Sequence, residues 1–270
     1  MTMHVAALWR YPVKSLGGQA LTQATVEPRG LTGDRRWMVV TPNGRFVTRR
    51  EAPVMAHLAA EPDGEGLLLR HRDGAQIAVA VPGAAPDRTV QVWGDSVAGA
   101  DAGDAVAEWL SARLERAVRL VHMPDTVVRA VDPRYAQAGD RVGFADGFPL
   151  LVTTTASLDA LNRELAQPVT MARFRANLVI AGAPAAWAEA GWQTLRIGAI
   201  TLRLVKPCTR CVMTTQDPDS GVVVTPREPL RTLRALGQVF GPRDEPVFGQ
   251  NAIPAGSGTI AVGDEVVVVA

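Results

Sequence analysis

Apolar and polar positions alternate through most of the first third of the chain. Trp37–Arg49, WMVVTPNGRFVTR, sets Asn43-Gly44 between two β-prone runs, which predicts a hairpin. Leu67–Val81 repeats the design around Asp73-Gly74, and Thr89–Val97 reads as one further alternating strand. The period turns helical over Asp101–Leu114, with Ala105, Val106, Trp109 and Leu110 on one face. Acids at its start suit a helix N-terminus. The strand VRLVHM follows, and then a polar stretch with Pro and Gly, Pro124–Gly147, reads as the joint between two domains.

The second half opens on FPLLVTTTASLDALNREL, a strand that runs into Thr154, Thr155 and Ser157 before a helix begins near Leu158. Hydroxyls at a helix entrance cap it, and can also help hold an anion there. The strands ANLVIAG, TLRIGAITLRLVK and GTIAVGDEVVVVA follow, and EPLRTLRALG reads as a short helix stopped by Gly237. The expected fold is a β-rich α+β class, with barrel-like sheets and a few peripheral helices.

Composition narrows the function. A hydrophobic fraction of 47% fits a folded globular chain, and a formal net charge of +1 gives no global field to recruit nucleic acid or a membrane. No apolar run reaches spanning length, and the first residues lack the features of a signal peptide. Cys208 and Cys211, the two cysteines, lie too close together to staple much chain, so a reduced cytoplasmic protein is expected. Among 28 basic residues only Lys14 and Lys206 are lysines.

The cysteines stand in KPCTRCVMTTQDPDSG, Lys206–Gly221, where three chemistries compete. A structural zinc site needs two further ligands, and His4, His57, His71 and His122 are scattered without paired spacing. Dithiol exchange wants a helix directly after the motif, whereas VMTTQDPDSG reads as a strand entering an Asp-Pro turn. A single thiolate on a soft metal is the third option, favoured by the flanking Lys206 and Arg210. A phosphate-bearing metal cofactor would need cations and hydroxyls from elsewhere. Candidates are Lys14-Ser15, Arg35-Arg36, Thr154-Thr155 and Arg173-x-Arg175-x-Asn177.

An ordered set of motifs resembles the MOSC superfamily over essentially the whole chain: YPVKSLGG, GLTGDRRWMVV, FADGFPLLVTTTASLDALN, RFRANLVIAG, KPCTRCVMTTQDPDSG, FGQNAI and GTIAVGDEVVV. The likeness is strongest to bacterial members with an N-terminal β-barrel domain and to amidoxime-reducing components. It implies a barrel domain over 1–124 and a MOSC β-barrel domain with peripheral helices over 125–270. It implies a molybdenum cofactor (molybdopterin) whose metal is held by Cys211, the catalytic thiolate. Cofactor contacts are expected from Lys14, Ser15, Arg35, Thr154, Thr155, Ser157, Arg175 and Asn177, with pyridoxal phosphate binding as a further expectation. The implied activity is reduction of small N-hydroxylated substrates (hydroxylamines, amidoximes, N-hydroxylated base analogues). Neither the iron–sulfur domain nor the membrane anchor of some relatives is expected, so electrons are expected from a separate flavin or iron–sulfur donor. The rival reading is a carrier of the cofactor or of sulfur, without turnover.

Overall fold

The computed structural model describes residues 2–64, 66–83 and 86–269, so Ala270, at the end of the last expected strand, lies outside it. The protein is built mostly of strands in several sheets, with few helices. The largest sheet runs, edge to edge, through Val266–Val269, Thr194–Ile197, Ile200–Thr209, Glu245–Ala255, Leu150–Thr154, Leu178–Ala181, His4–Arg10 and Gln19–Leu21. Its pairings are antiparallel except Leu150–Thr154 with Leu178–Ala181. A parallel pair needs a crossover, and the helix between these two strands supplies it. His4–Arg10 therefore lies in one sheet with second-half strands, and its apolar positions Val5 and Leu8 share a core with Leu150, Leu178, Leu202 and Val266.

Of three further sheets, one joins Gln23–Glu27 and Gly30–Leu31 to Gly258–Ala261, and two lie wholly in the first half. Leu58–Asp63, Gly66–His71 and Gln76–Val79 form a meander, as the Asp73-Gly74 turn predicts. Trp37–Val40, Arg119–His122, Asp95–Asp101 and Arg88–Val92 form the other. The Asn43-Gly44 hairpin is present but short, with Gly44 at φ 80, a bridge from Phe46 to Val40 and hydrogen bonds from the Thr41 N–H to the Arg45 carbonyl and from the Val47 N–H to the Val39 carbonyl, both at 2.8 Å. On its other side the arm also meets Gln91, through a bridge from Arg45 and the Phe46 N–H donated to the Gln91 carbonyl at 3.3 Å. Thr89–Val97 is not one strand but a hairpin, in which Trp93 (φ 56) and Gly94 make the turn. β-prone residues on both sides hide that turn from the sequence pattern.

Three α-helices complete the fold. Helix α1, Asp104–Leu114, buries Val106, Ala107, Leu110 and Leu114, while Ala105 points outward. Helix α2, Thr155–Glu164, is capped by the Thr154 side chain, which accepts from the Ser157 N–H at 3.1 Å. Helix α3, Leu230–Ala235, is pinned by Leu233 in a cluster with Leu161, Phe174 and Phe248, whose two rings stack at 3.8 Å. Pro124–Gly147 contains no regular element yet is well held. Val127, Val131, Val142 and Phe144 are buried, and the Arg129 guanidinium donates to the carbonyls of Gly143, Ala145 and Asp146. No helix among the described residues is long and apolar enough to cross a membrane.

Candidate functional site

A cleft of about 1030 Å³ opens between the cysteine loop, the turn after His4–Arg10 and the Pro124–Gly147 segment. Eight cationic and four acidic side chains line it, and Lys14 and Lys206 are both among them. The excess of positive charge suits an anionic ligand.

Tyr11, just behind the lining, organises one wall. Its ring is buried, and the guanidiniums of Arg35 and Arg175 lie over it at 4.5 and 4.1 Å. The ring fits because Gly18 faces it, where a Cβ would come within 2.3 Å of a ring carbon. Buried Asp34 ties the wall together by accepting from the Tyr11 N–H (2.8 Å), Asn177 Nδ2 (3.1 Å) and Arg35 Nη1 (2.6 Å). Asn177 Oδ1 accepts in turn from Arg35 Nη1 at 2.9 Å and from the Leu151 N–H at 3.2 Å. Burial opposes the charge on Arg35, yet its pKa is raised because Asp34 is paired with it. Arg175 has no such partner. Burial first, and Arg35 second, push it down to about 9. Its Nη1 donates to the Leu16 carbonyl at 2.6 Å, while Nη2 is buried without a partner. A buried, unpaired guanidinium N–H in a cleft is a donor waiting for an anion.

The opposite wall gathers on Asp146. Its carboxylate takes the Lys14 ammonium, the Trp93 Nε1–H at 3.1 Å and Arg50 at 3.5 Å. Its place inside the cleft disfavours the charge on Asp146, although the side chain is 61% exposed, and Lys14 and then Arg50 outweigh this and hold the pKa below the usual carboxylate range. Lys14 itself is pushed down by burial and supported by Asp146, and it also donates to the Phe144 carbonyl at 2.9 Å. Arg50 stacks on the Trp93 ring at 4.3 Å.

Ile200–Thr209 delivers the cysteines, and the two are not alike. Cys208 is half-buried against Leu151, Ala176 and Val179, and its sulfur accepts from Arg210 Nη1 at 2.8 Å. Cys211 is exposed and is the N-cap of a 3₁₀ turn, Val212–Thr215, with no side-chain hydrogen bond there. That turn corrects the sequence reading, which expected none. Thr214 and Thr215 close it by donating their hydroxyls to the carbonyls of Cys211 and Val212 at 2.9 and 2.7 Å. Both thiols are free, and among the described residues no group of three His, Cys, Asp or Glu side chains is placed to hold a metal.

Two regions of the chain match family models: residues 2–117 the MOSC N-terminal beta barrel domain, and residues 139–267 the MOSC domain. Mitochondrial amidoxime-reducing component 1 of Xenopus laevis is 34% identical over 284 residues, covering 97% of this chain and 81% of that protein. The protein of the same name from Homo sapiens is 34% identical, with 97% and 82% covered. Human mitochondrial amidoxime reducing component 2 is 32% identical, again with 97% and 82% covered. This chain belongs to the MOSC family.

The cleft is shared between the two MOSC matches. Lys14, Ser15 and Arg35 come from the first, and Arg175, Asn177 and Cys211 from the second, all lining the same cavity. The structure does not bring Thr154, Thr155 and Ser157 there. Thr154 and Ser157 are fully buried, and their hydroxyls bond to Glu189 Oε2 at 3.2 and 2.8 Å. Thr155 opens α2 outside the lining. Arg36 also turns away, to Asp125. Asp217 holds its own turn by accepting from Ser220 N–H and Oγ. The sequence reading missed Tyr11, Asp34, Arg50, Trp93 and Asp146. Tyr11 and Asp34 sit beside Lys14 and Arg35 in motifs already singled out, and that adjacency was the available signal.

Proposed function

We propose that this MOSC chain is a molybdenum-cofactor reductase of small N-hydroxylated compounds (hydroxylamines, amidoximes, N-hydroxylated base analogues), fed by a separate flavin or iron–sulfur protein. The observation that carries the reading is the exposed, unpartnered Cys211 thiol in one cleft with the Lys14, Arg35 and Arg175 cations. The amidoxime-reducing relatives support the reaction class. The residues fit the cofactor. A soft thiolate suits molybdenum, and the orphaned Nη2 of Arg175 suits the oxygens of a pterin phosphate. When bound, the cofactor supplies two-electron reduction of an N–OH group, which takes up two protons and gives N–H and water.

Cys211 would hold the metal, and Lys14, Ser15, Arg35, Arg175 and Asn177 the phosphate end. Asp34 fixes the direction of Arg35, and Asp146 that of Lys14. Thr154, Thr155 and Ser157 are left out, because Glu189 occupies the two buried hydroxyls. Pyridoxal phosphate has no place in this reading, since the Lys14 amine is taken by Asp146 and Phe144. We further propose residues 1–124 and 125–270 as the two domains, and the cytoplasm, which suits free thiols, as the compartment. Exposure of Cys211 also suits a carrier that hands on cofactor or sulfur.

One experiment separates these readings. Protein made in cells that synthesise the cofactor is analysed for molybdenum and assayed with reduced viologen on an amidoxime. Cys211→Ser should lose the metal and all turnover, while Cys208→Ser keeps much of both. Equal loss in the two variants would point to a paired dithiol site. Metal without turnover across several N–O substrates would point to the carrier.

A further inference from the structure

We infer that an apolar groove beside Cys211 is the docking surface for an acidic electron-donor protein. The inference rests on the reductase reading above and adds where, and by what chemistry, the donor binds. The groove, about 520 Å³, has walls from Val212, Val223, Pro226 and Leu230. Val212 lines the groove and directly follows Cys211, which lines the cleft, so the two concavities meet at neighbouring residues whose Cα atoms are about 3.8 Å apart. A partner seated in the groove therefore covers the residue next in the chain to the one that would carry the metal.

Exposed valines stand in the groove and in the chain beside it. Val212, Val222, Val223 and Val224 are 49, 58, 42 and 55% exposed. A contiguous apolar patch with a charged rim is the anatomy of a protein interface. Here the rim is cationic: Arg227, Arg231 and Arg234 line the groove. Arg231 pairs with Glu228 at 2.8 Å, but among the described residues neither Arg227 nor Arg234 has a carboxylate within ion-pair reach. The platform is firm, because Leu233 anchors α3 in the core while Arg231 and Arg234 face outward. Two guanidiniums without a carboxylate, and a third already paired, around an apolar floor call for a partner with an apolar knob flanked by carboxylates. Each turnover takes two electrons from that partner, whose flavin or iron–sulfur centre is oxidised, and two protons from solvent.

The test drives molybdenum-loaded protein in two ways with one amidoxime. Reduced viologen reaches the site without docking. NADPH with a membrane-free extract of source cells lacking this chain supplies the natural donor. We expect Arg227→Glu with Arg234→Glu, and separately Val223→Asp, to cut the extract-driven rate at least tenfold and leave the viologen-driven rate unchanged. Rising salt should slow extract-driven turnover of the unaltered protein, since steering charges are screened. An unchanged extract-driven rate in both variants would overturn the inference, and so would parallel loss of both rates, which would tie the groove to the cofactor instead. An extract that drives nothing while viologen succeeds would remove the soluble donor and its site together. Viologen failing on the loaded, unaltered protein would instead refute the reductase reading. Binding to phosphatidylglycerol vesicles, lost in variants whose extract-driven rate is intact, would assign the groove to a membrane surface.

Discussion

Four side chains of the cleft stand on backbone that non-glycine residues seldom adopt: Ser15, Arg35, Trp93 and Arg175, at φ 69, 46, 56 and 55. Each such conformation costs about 1–3 kcal/mol, and such strain collects where side chains must be aimed. The motifs show which residues are there but not the strain, which arises only when distant segments fix both ends of a turn. The same gap explains the hydroxyls. Thr154 and Ser157 are legible as a cap, but Glu189, thirty residues on, competes for them and cannot be read from their spacing. For the guanidiniums the expectation is direct. Arg35→Ala and Lys14→Ala should leave a folded protein with reduced pterin content, and Arg175→Lys should lose more than half of it, because an ammonium does not reproduce a planar fork. Pterin fluorescence after oxidative release measures this. Glu189 yields a second expectation. Burial raises its pKa above the ordinary 4.5, so the folded chain holds a proton that the unfolded chain releases. The stability it contributes is full below pH 4.5 and fades as pH rises through the raised value. Glu189→Gln keeps an oxygen to accept the two bonds without the ionisation, so its unfolding free energy relative to the parent's should rise as pH climbs above 4.5.

Elements with a strong local signal were legible. The Asp73-Gly74 hairpin, α1 and the α3 stop at Gly237 lie where pattern and turn chemistry put them. Elements set by their surroundings were not, as the 3₁₀ turn behind Cys211 shows. The DPDSG turn was legible as a turn, but its anchorage was not. Gly221, at φ 73, presses so close to Pro53 that a Cβ would come within 2.4 Å of the Pro53 carbonyl oxygen, and Arg49 donates to the carbonyls of Asp217 and Pro218. The strand Arg119–His122 carries a prediction of its own. His122 lies on Trp37 at 4.5 Å with its Nδ1 buried and unpartnered. Burial, then Arg36, lower its pKa from 6.5 to about 4. The unfolded chain takes up this proton near pH 6.5 and the folded one near 4, so the strand's contribution is present above 6.5 and is lost as pH falls between the two values. Urea midpoints at pH 7 and 4.5 should fall apart less in His122→Phe than in the parent.

At the scale of the molecule, a net charge of +1 conceals a cleft with twice as many cations as acids, which composition cannot reveal. The proposed division of labour has a simple consequence. With no G-x-G-x-x-G after a strand and only two cysteines, the loaded chain should oxidise neither NADH nor NADPH when mixed with an amidoxime. Absorbance at 340 nm follows this, and steady loss without added protein would remove the separate donor. The placing of His4–Arg10 reaches further, into synthesis. That strand lies between Gln19–Leu21 and Leu178–Ala181, so it emerges early from a ribosome and must wait for a pairing edge made more than half a chain later. At 5–20 residues per second the delay is on the order of ten seconds or more. Lys14 and Arg35 cannot face Arg175 until it ends, so the early nascent chain has no finished pocket to hold a cofactor.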